Sequence, residues 1–255
     1  MRLLFIGDII GRPGRTVLVK SMPRLFEEYN PNLVVANGEN AAAGFGITIS
    51  IVGDLQKAGI DVITTGNHVW NRRETETWID EEERVLRPAN FPRTQPGKGW
   101  TVVQVNGSPV AVVNLQGRVT MPPSECPFLT MEKILADLPP VEAIVVDFHA
   151  EATSEKEAFA RHFDGKVAAV IGTHTHVQTA DEKILPGGTA FICDVGMTGG
   201  GAGVIGFKLE NVLIRFLHGI PRRLEPEKKD PVVMGVFVEI ENGLATSIKR
   251  FQLRP

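Results

Sequence analysis

Cysteine is scarce in this chain of 255 residues: there are two, Cys126 and Cys193. Neither has metal-site spacing and no Cys-x-x-Cys occurs, so neither a thiolate zinc site nor a disulfide framework is expected. The pair reads as free thiols in a reducing cytoplasm. Long apolar runs are missing too. No stretch approaches a membrane span. The N-terminal run Leu3 to Ile6 is too short for a signal-peptide core, and Asp8 interrupts it. Charge of either sign is not in excess. The net charge of −3 gives no strong overall pull toward nucleic acid or an anionic membrane, and neither is an expected partner. Substrate phosphate would be attracted by local cations. Repeats, low-complexity tracts and linkers are absent. The 43% hydrophobic content is ordinary for a globular protein, and one domain over residues 1–255 is expected.

What the chain does contain is chemistry placed behind short apolar runs. Leu3 to Ile6 ends in Gly7-Asp8, and Leu33 to Ala36 in Asn37-Gly38-Glu39-Asn40. Val62 to Thr65 ends in Gly66-Asn67-His68, and Ala143 to Asp147 in Phe148-His149. Val167 to Ile171 ends in Gly172-Thr173-His174-Thr175-His176. Five expected strands thus bring Asp, Glu, Asn or His to one edge of a sheet.

Helical spacing fills the gaps between these runs: Arg15 to Tyr29, with a kink or break possible at Pro23, Thr48 to Ala58, an acidic segment Val69 to Val85, Met131 to Leu138, and Ser154 to Phe163. The βα order predicts a largely parallel sheet. Two hairpins interrupt it. Gly99 to Val105 and Ser108 to Leu115 alternate about Asn106-Gly107, and Val232 to Ile240 and Leu244 to Leu253 flank Glu241-Asn242-Gly243. Parallel halves plus hairpins predict two packed sheets covered by helices. Pro221 to Asp230 is charged and proline-bearing, and reads as a surface loop.

The candidate ligands are Asp8, Glu39, Asn40, Asn67, His149, His174 and His176. Singly, each has an ordinary reading. His-x-His can be two surface histidines, and an isolated His149 is commonly just a satisfied side chain. Asp8 can cap a helix, Glu39 can be solvated, and Asn67 can serve a turn. Together they fit the hydrolysis of a phosphate ester. Two cations about 3.5–4 Å apart lower the pKa of a bound water and neutralise developing charge. Such a site needs an acidic ligand shared by both cations, several imidazoles and few thiolates. In an extended strand, His174 and His176 would point the same way, each toward a different metal.

The ordered series Gly-Asp, Gly-Glu-Asn, Gly-Asn-His, isolated His and Gly-Thr-His-Thr-His resembles the calcineurin-like metallophosphoesterase superfamily. It is most similar to the YmdB-like branch, a group of bacterial metallophosphodiesterases, and the resemblance spans essentially the whole chain. Two departures from the broad superfamily point to that branch. Asp8-Ile9-Ile10 lacks the usual His of the first motif, and Glu39 stands where Asp usually bridges. The resemblance implies a four-layer α/β/β/α sandwich. It implies one metal held by Asp8, Glu39, Asn40 and His176, and another by Glu39, Asn67, His149 and His174. Glu39 would bridge, and Asn40 would replace the missing imidazole. The metals would be iron or manganese, with zinc also suited to such ligands. Hydroxide between the metals would attack phosphorus, with His68 as general acid. The implied substrates are small cyclic nucleotides, 2′,3′-cyclic nucleotides above all, and a homo-oligomer is implied as well.

Two rival functions remain at this level: a phosphomonoesterase or nucleotidase on the same metals, and a metal-bound regulator with residual activity. The glycine series Gly201-Ala202-Gly203-Val204-Ile205-Gly206 fits a dinucleotide fingerprint but lies too late in the chain for one. The stretch Gly196 to Gly206 reads as a loop, flexible or facing substrate or a second subunit. Arg12, Arg15, Arg72 and Arg73 are candidates for steering phosphate.

Overall fold

A computed structural model describes residues 1–254; Pro255, the last position of the expected domain, lies outside them. The elements in chain order are β1 (Arg2–Ile6), β2 (Asp8–Ile9), α1 (Gly11–Tyr29), β3 (Leu33–Asn37), α2 (Ile49–Lys57), β4 (Val62–Thr64), α3 (Thr75–Trp78) and β5 (Val85–Leu86). Then come β6 (Trp100–Val105), β7 (Ser108–Gln116), α4 (Pro127–Asp137), β8 (Ala143–His149), α5 (Thr153–His162), β9 (Ala169–Thr173), β10 (Lys183–Ile184) and β11 (Ala190–Ile192). Last are β12 (Met197–Gly200), α6 (Leu209–His218), β13 (Pro231–Glu241) and β14 (Leu244–Leu253).

The strands form two mixed sheets. One has the order β2-β12-β13-β1-β3-β4-β5, with β14 added on β13; the other has the order β10-β11-β9-β8-β7-β6. Strand alternation explains the layers. On β1, Leu3 and Phe5 enter the interior between the sheets, where they join Val35, Val112, Val145 and Ile171. Leu4 and Ile6 face outward and pack against Leu18 and Met22 of α1 and Leu55 of α2. On the other sheet, Val146 and Phe148 of β8 face Met131 of α4 and Phe159 of α5. The result is the expected four-layer α/β/β/α sandwich. Both faces of the central strands are covered, which is why their sequences are continuous apolar runs.

The turns follow local chemistry. Asn106 and Gly107 have φ of 51° and 86°, and Asn242 and Gly243 have 51° and 83°. Each pair supplies the two positive φ values of a tight hairpin. Pro23 lies within α1 without ending it; it sits on the exposed side, where a lost amide bond is solvated.

Three expectations are corrected. Residues 69–85 do not form one acidic helix; a 3₁₀ turn at Val69–Asn71 and the single turn of α3 replace it. Adjacent Trp78 and Ile79 are both buried, Thr75 Oγ1 donates to the Ile47 carbonyl (3.1 Å), and Glu76, Asp80 and Glu83, four and three residues apart, would crowd like charges on one helix face. Tertiary bonds therefore set this segment. Gly196 to Gly206 is not a loop throughout, because β12 is fully buried between β2 and β13. Finally, the site strands do not share one sheet. β1, β3 and β4 run parallel in the first sheet, and β8 and β9 run parallel in the second.

Phe5 is fully buried at the centre of this arrangement. Phe5→Ala should destabilise the protein by about 3–5 kcal/mol, read from urea unfolding. A loss under about 1 kcal/mol would mean that the inter-sheet layer is not close-packed there.

Candidate metal centre

Every expected ligand lies at or just past the carboxyl end of its strand, where the two sheets open. Asp8 starts β2 directly after β1. Glu39 and Asn40 follow β3, Asn67 and His68 follow β4, His149 ends β8, and His174 and His176 follow β9. Asp8 and His149 are fully buried, Glu39 and Asn40 nearly so. His174 and His176 are not on an extended strand. β9 stops at Thr173, and the two histidines have φ of 103° and 64°. A left-handed loop, not strand alternation, turns both rings into one cavity of about 560 Å³.

The histidine tautomers can be read from the partners. Thr173 Oγ1 donates to Asp147 Oδ1 (2.7 Å), so it accepts from His149 Nδ1 (2.8 Å). That leaves His149 Nε2 facing the centre. It lies 3.1 Å from Glu39 Oε1, 3.1 Å from Asn67 Oδ1 and 3.1 Å from His174 Nδ1. His174 Nε2 is engaged by Glu151 Oε2 at 3.2 Å, so its Nδ1 also presents a lone pair inward. The ligating atoms of Glu39, His149 and His174 lie within 4.8 Å of one another. Gly66 is required beside them, because a Cβ there would fall 2.3 Å from His149 Nε2 and 2.6 Å from Glu39 Oε2.

A second group adjoins the first through Glu39. Asp8 Oδ1, Glu39 Oε1 and Asn40 Oδ1 are buried with no hydrogen-bond partner among the described residues. His176 Nε2 stands 3.8 Å from Asp8 Oδ1. Asn40 is oriented by its own amide, whose Nδ2 donates to the Gly44 carbonyl (2.9 Å). Orphaned buried oxygens are costly, and hard oxygens together with imidazoles suit Fe, Mn or Zn. The residues present therefore fit a metal centre, with Glu39, His149 and His174 its tightest donor set.

Electrostatics agree with a demand for positive charge. Burial opposes ionisation of Glu39, yet the His149 imidazole and the His68 amide (2.9 Å to Oε2) hold its carboxyl down at about 2. Burial also works against charge on His149, but Glu39 raises it to about 9. Burial pushes Asp8 up to about 7, with His176 opposing. Burial, then the neighbouring His149, lowers His174 to about 3. In the protein alone a proton on His149 answers the carboxylate; a cation would take its place.

Sequence reasoning missed the supporting residues. Asp147 orients Thr173, and its other oxygen accepts from Asn37 Nδ2 (3.1 Å), so it ties the two sheets together beneath the site. Asp194 Oδ2 accepts from Thr175 N–H (2.9 Å) and from the buried Lys156 Nζ (2.9 Å), which braces the His174–His176 loop. These are buried polar residues inside apolar runs, and a buried Asp on an interior strand was the available signal. The cavity wall carries Arg215, a cation not foreseen. Of the arginines that were expected to steer phosphate, none lines this cavity. Arg72 binds the carbonyls of Ala42 and Phe45, and Arg15 faces Asp54 at 3.9 Å. The Gly201 to Gly206 series is a turn whose Ile205 carbonyl accepts from His176 Nδ1 (3.0 Å), not a strand–helix phosphate loop.

Comparison with known proteins gives the same picture over the whole chain. A family model described as YmdB-like protein matches residues 4–251. The 2′,3′-cyclic-nucleotide 2′-phosphodiesterase of Bacillus subtilis (strain 168) is 46% identical over 250 residues, which cover 98% of this chain and 95% of that protein. The crystal structure of a hypothetical protein from Thermus thermophilus has a TM-score of 0.95 at 38% identity, covering 100% of this chain and 99% of that one. That of a phosphatase from Mycoplasma pneumoniae has a TM-score of 0.94 at 32% identity, covering 100% of this chain and 93% of that one.

Thr173→Val removes the acceptor for His149 Nδ1 while keeping the side-chain volume. Metal affinity, measured by competition with a chelator, should fall about 10–100-fold, and Thr173→Ser should restore most of it. Unchanged affinity in Thr173→Val would show that the hydroxyl does not orient His149.

Proposed function

The chain belongs to the YmdB-like family, and on that premise we propose that it is a metal-dependent phosphodiesterase acting on 2′,3′-cyclic nucleotides. The observation that carries the reading is the set of buried, unpartnered oxygens of Asp8, Glu39 and Asn40 beside the lone pairs converging on His149 Nε2. One group would be Asp8, Glu39, Asn40 and His176; the other would be Glu39, Asn67, His149 and His174. Two cations bound there, iron or manganese in preference to zinc, supply an activated water and neutralise phosphoryl charge.

The chain's own residues do the rest. His68 lines the cavity and is held edge-on to Phe45, with ring centroids 4.8 Å apart. From there it would give a proton to the ribose oxygen that leaves phosphorus. Arg215 faces the same cavity and can hold a non-bridging phosphoryl oxygen. Phe45, stacked on Phe207 at 5.5 Å, offers an aromatic wall for the base. The volume of about 560 Å³ suits one nucleotide. In balance, the oxygen of water bonds to phosphorus, one P–O bond to ribose breaks, and a proton ends on the freed ribose oxygen.

No helix of the described residues is long and apolar enough to cross a membrane. The free thiols Cys126 and Cys193 favour a reducing, cytoplasmic setting. Self-association is favoured by α6, whose Phe216 and Leu217 are 79% and 71% exposed.

The test is hydrolysis of 2′,3′-cyclic AMP by protein stripped of metal and then given Mn²⁺. Metal-dependent conversion to a monoester that accumulates is expected. Onward release of inorganic phosphate would favour a phosphomonoesterase, and tight metal binding without turnover would reject the substrate. His68→Ala should lower kcat about 10²–10⁴-fold with metal content intact; loss of metal instead would make His68 a scaffold residue.

A further inference from the structure

The cavity around the candidate centre does not stop at the volume of one nucleotide. Leu224 lines both this cavity and a neighbouring groove of about 390 Å³. That groove shares Arg12, Pro13 and Lys228 with a further depression of about 470 Å³ on α1. Together they lie as adjoining depressions from the metal cleft, past residues 221–230, to the exposed face of α1.

The charge along the path away from the cleft is one-sided. It is lined by five cations, Arg12, Lys20, Lys208, Arg223 and Lys228, and by one carboxylate, Glu225. Glu225 is already paired with Lys208 at 2.7 Å. Among the described residues, no carboxylate lies within 4.0 Å of the charged atoms of Arg12, Lys20, Arg223 or Lys228. Arg12, Thr16 and Lys20 are four residues apart on one face of α1 and extend the path by about 12 Å of helix. A chain with net charge −3 has thus gathered unpaired positive charge on a track leading into a phosphoesterase cleft. A cyclic mononucleotide has a single phosphate, which belongs at the metals, and leaves this track without a counter-charge.

We propose that the track holds the backbone of a single-stranded RNA upstream of a 2′,3′-cyclic phosphate end, and that such an oligonucleotide is a better substrate than the free mononucleotide. This rests on the phosphodiesterase reading above. The terminal nucleotide lies beside Phe45, and the preceding phosphates lie along Arg223, Arg12, Lys228 and Lys20. Among the described residues no aromatic side chain lines the track, so it stacks no bases and reads phosphates irrespective of sequence. The bonds made and broken at the cyclic end are those of the mononucleotide reaction.

Two measurements on the Mn²⁺-loaded protein test this. Anisotropy of a labelled 2′-O-methyl oligoadenylate, which has no cyclic end, reads the track alone. The ratio of kcat/KM for an oligoadenylate ending in 2′,3′-cyclic phosphate to that for 2′,3′-cyclic AMP reads its use. Binding should weaken with salt by a log–log slope of about −2 to −3, at about −0.7 per phosphate neutralised, and the ratio should be about 10 or more at low salt. Lys20→Glu combined with Lys228→Glu, neither of which lines the metal cleft, should bring the ratio close to one; the paired Ala substitutions should lower it part of the way. A ratio near one in the unaltered protein, or salt-independent binding, overturns the proposal. So does binding to phosphatidylglycerol vesicles in place of the oligonucleotide. Turnover of 2′,3′-cyclic AMP without oligonucleotide binding rejects the track alone. Oligonucleotide binding without turnover of either substrate upholds the track and rejects the phosphodiesterase reading.

Discussion

The structure is organised around an electrostatic conflict: acceptor atoms are packed together where no donor can reach them all. Among the described residues Asp8 Oδ1 and Asn40 Oδ1 have no hydrogen-bond partner, and Glu39 Oε1, Asn67 Oδ1 and His174 Nδ1 all crowd the single His149 Nε2 at 3.1 Å. Unpaired buried oxygens cost free energy in any fold. This fold tolerates them because the side chains are delivered by β1, β3, β4, β8 and β9 of a close-packed sandwich, so the group cannot relax apart without disturbing a core. The natural relief is positive charge, first a proton on His149 and then a cation, which links metal binding to folding.

The seam between the sheets makes that tolerance possible. Asn37 on β3 donates to Asp147 on β8 (3.1 Å), and the Thr65 amide donates to Asn114 Oδ1 on β7 (3.0 Å). Both bonds cross from one sheet to the other at the floor of the site. Burial raises the Asp147 carboxyl above its ordinary range, against the pull of His149 and its hydrogen bonds. Its place is therefore justified by what it orients, Thr173 and through it His149, more than by any gain from burying a carboxylate. Asp194 and Lys156 do the same work for the loop that carries His174 and His176.

Features governed by local chemistry were legible in the sequence. Apolar runs set the strands, Asn-Gly pairs set the hairpins, and polar residues ending several runs marked the site edge, since they had no packing reason to recur there. Features governed by contacts between distant elements were not legible. Asp147 and Thr173 read as ordinary strand residues until β8 and β9 lie side by side. Met197 to Gly200 has no strand pattern of its own and becomes a strand only because β2 and β13 flank it. Residues 69–85 have helical composition, yet the inward pull on Trp78 and Ile79 and the bond from Thr75 to Ile47 decide their path. The His-x-His spacing led to the right cavity for the wrong reason, because two left-handed residues do what strand alternation was expected to do.

Net charge does not describe what a ligand meets at the surface, and the reason is geometric. Screening confines each charge to within about 10 Å at ordinary salt, so a ligand meets the charges lining its path and not the sum over the chain. Acidic residues are gathered elsewhere, such as Glu81 to Glu83, while the path from Leu224 to Lys20 carries unpaired cations. The metal cluster itself is acidic before cations bind and attracts them. On the reading proposed above, bound cations would make it the positive end of that track, and a polyanion threaded along the track would bring its terminal phosphate to the site where the ester is broken.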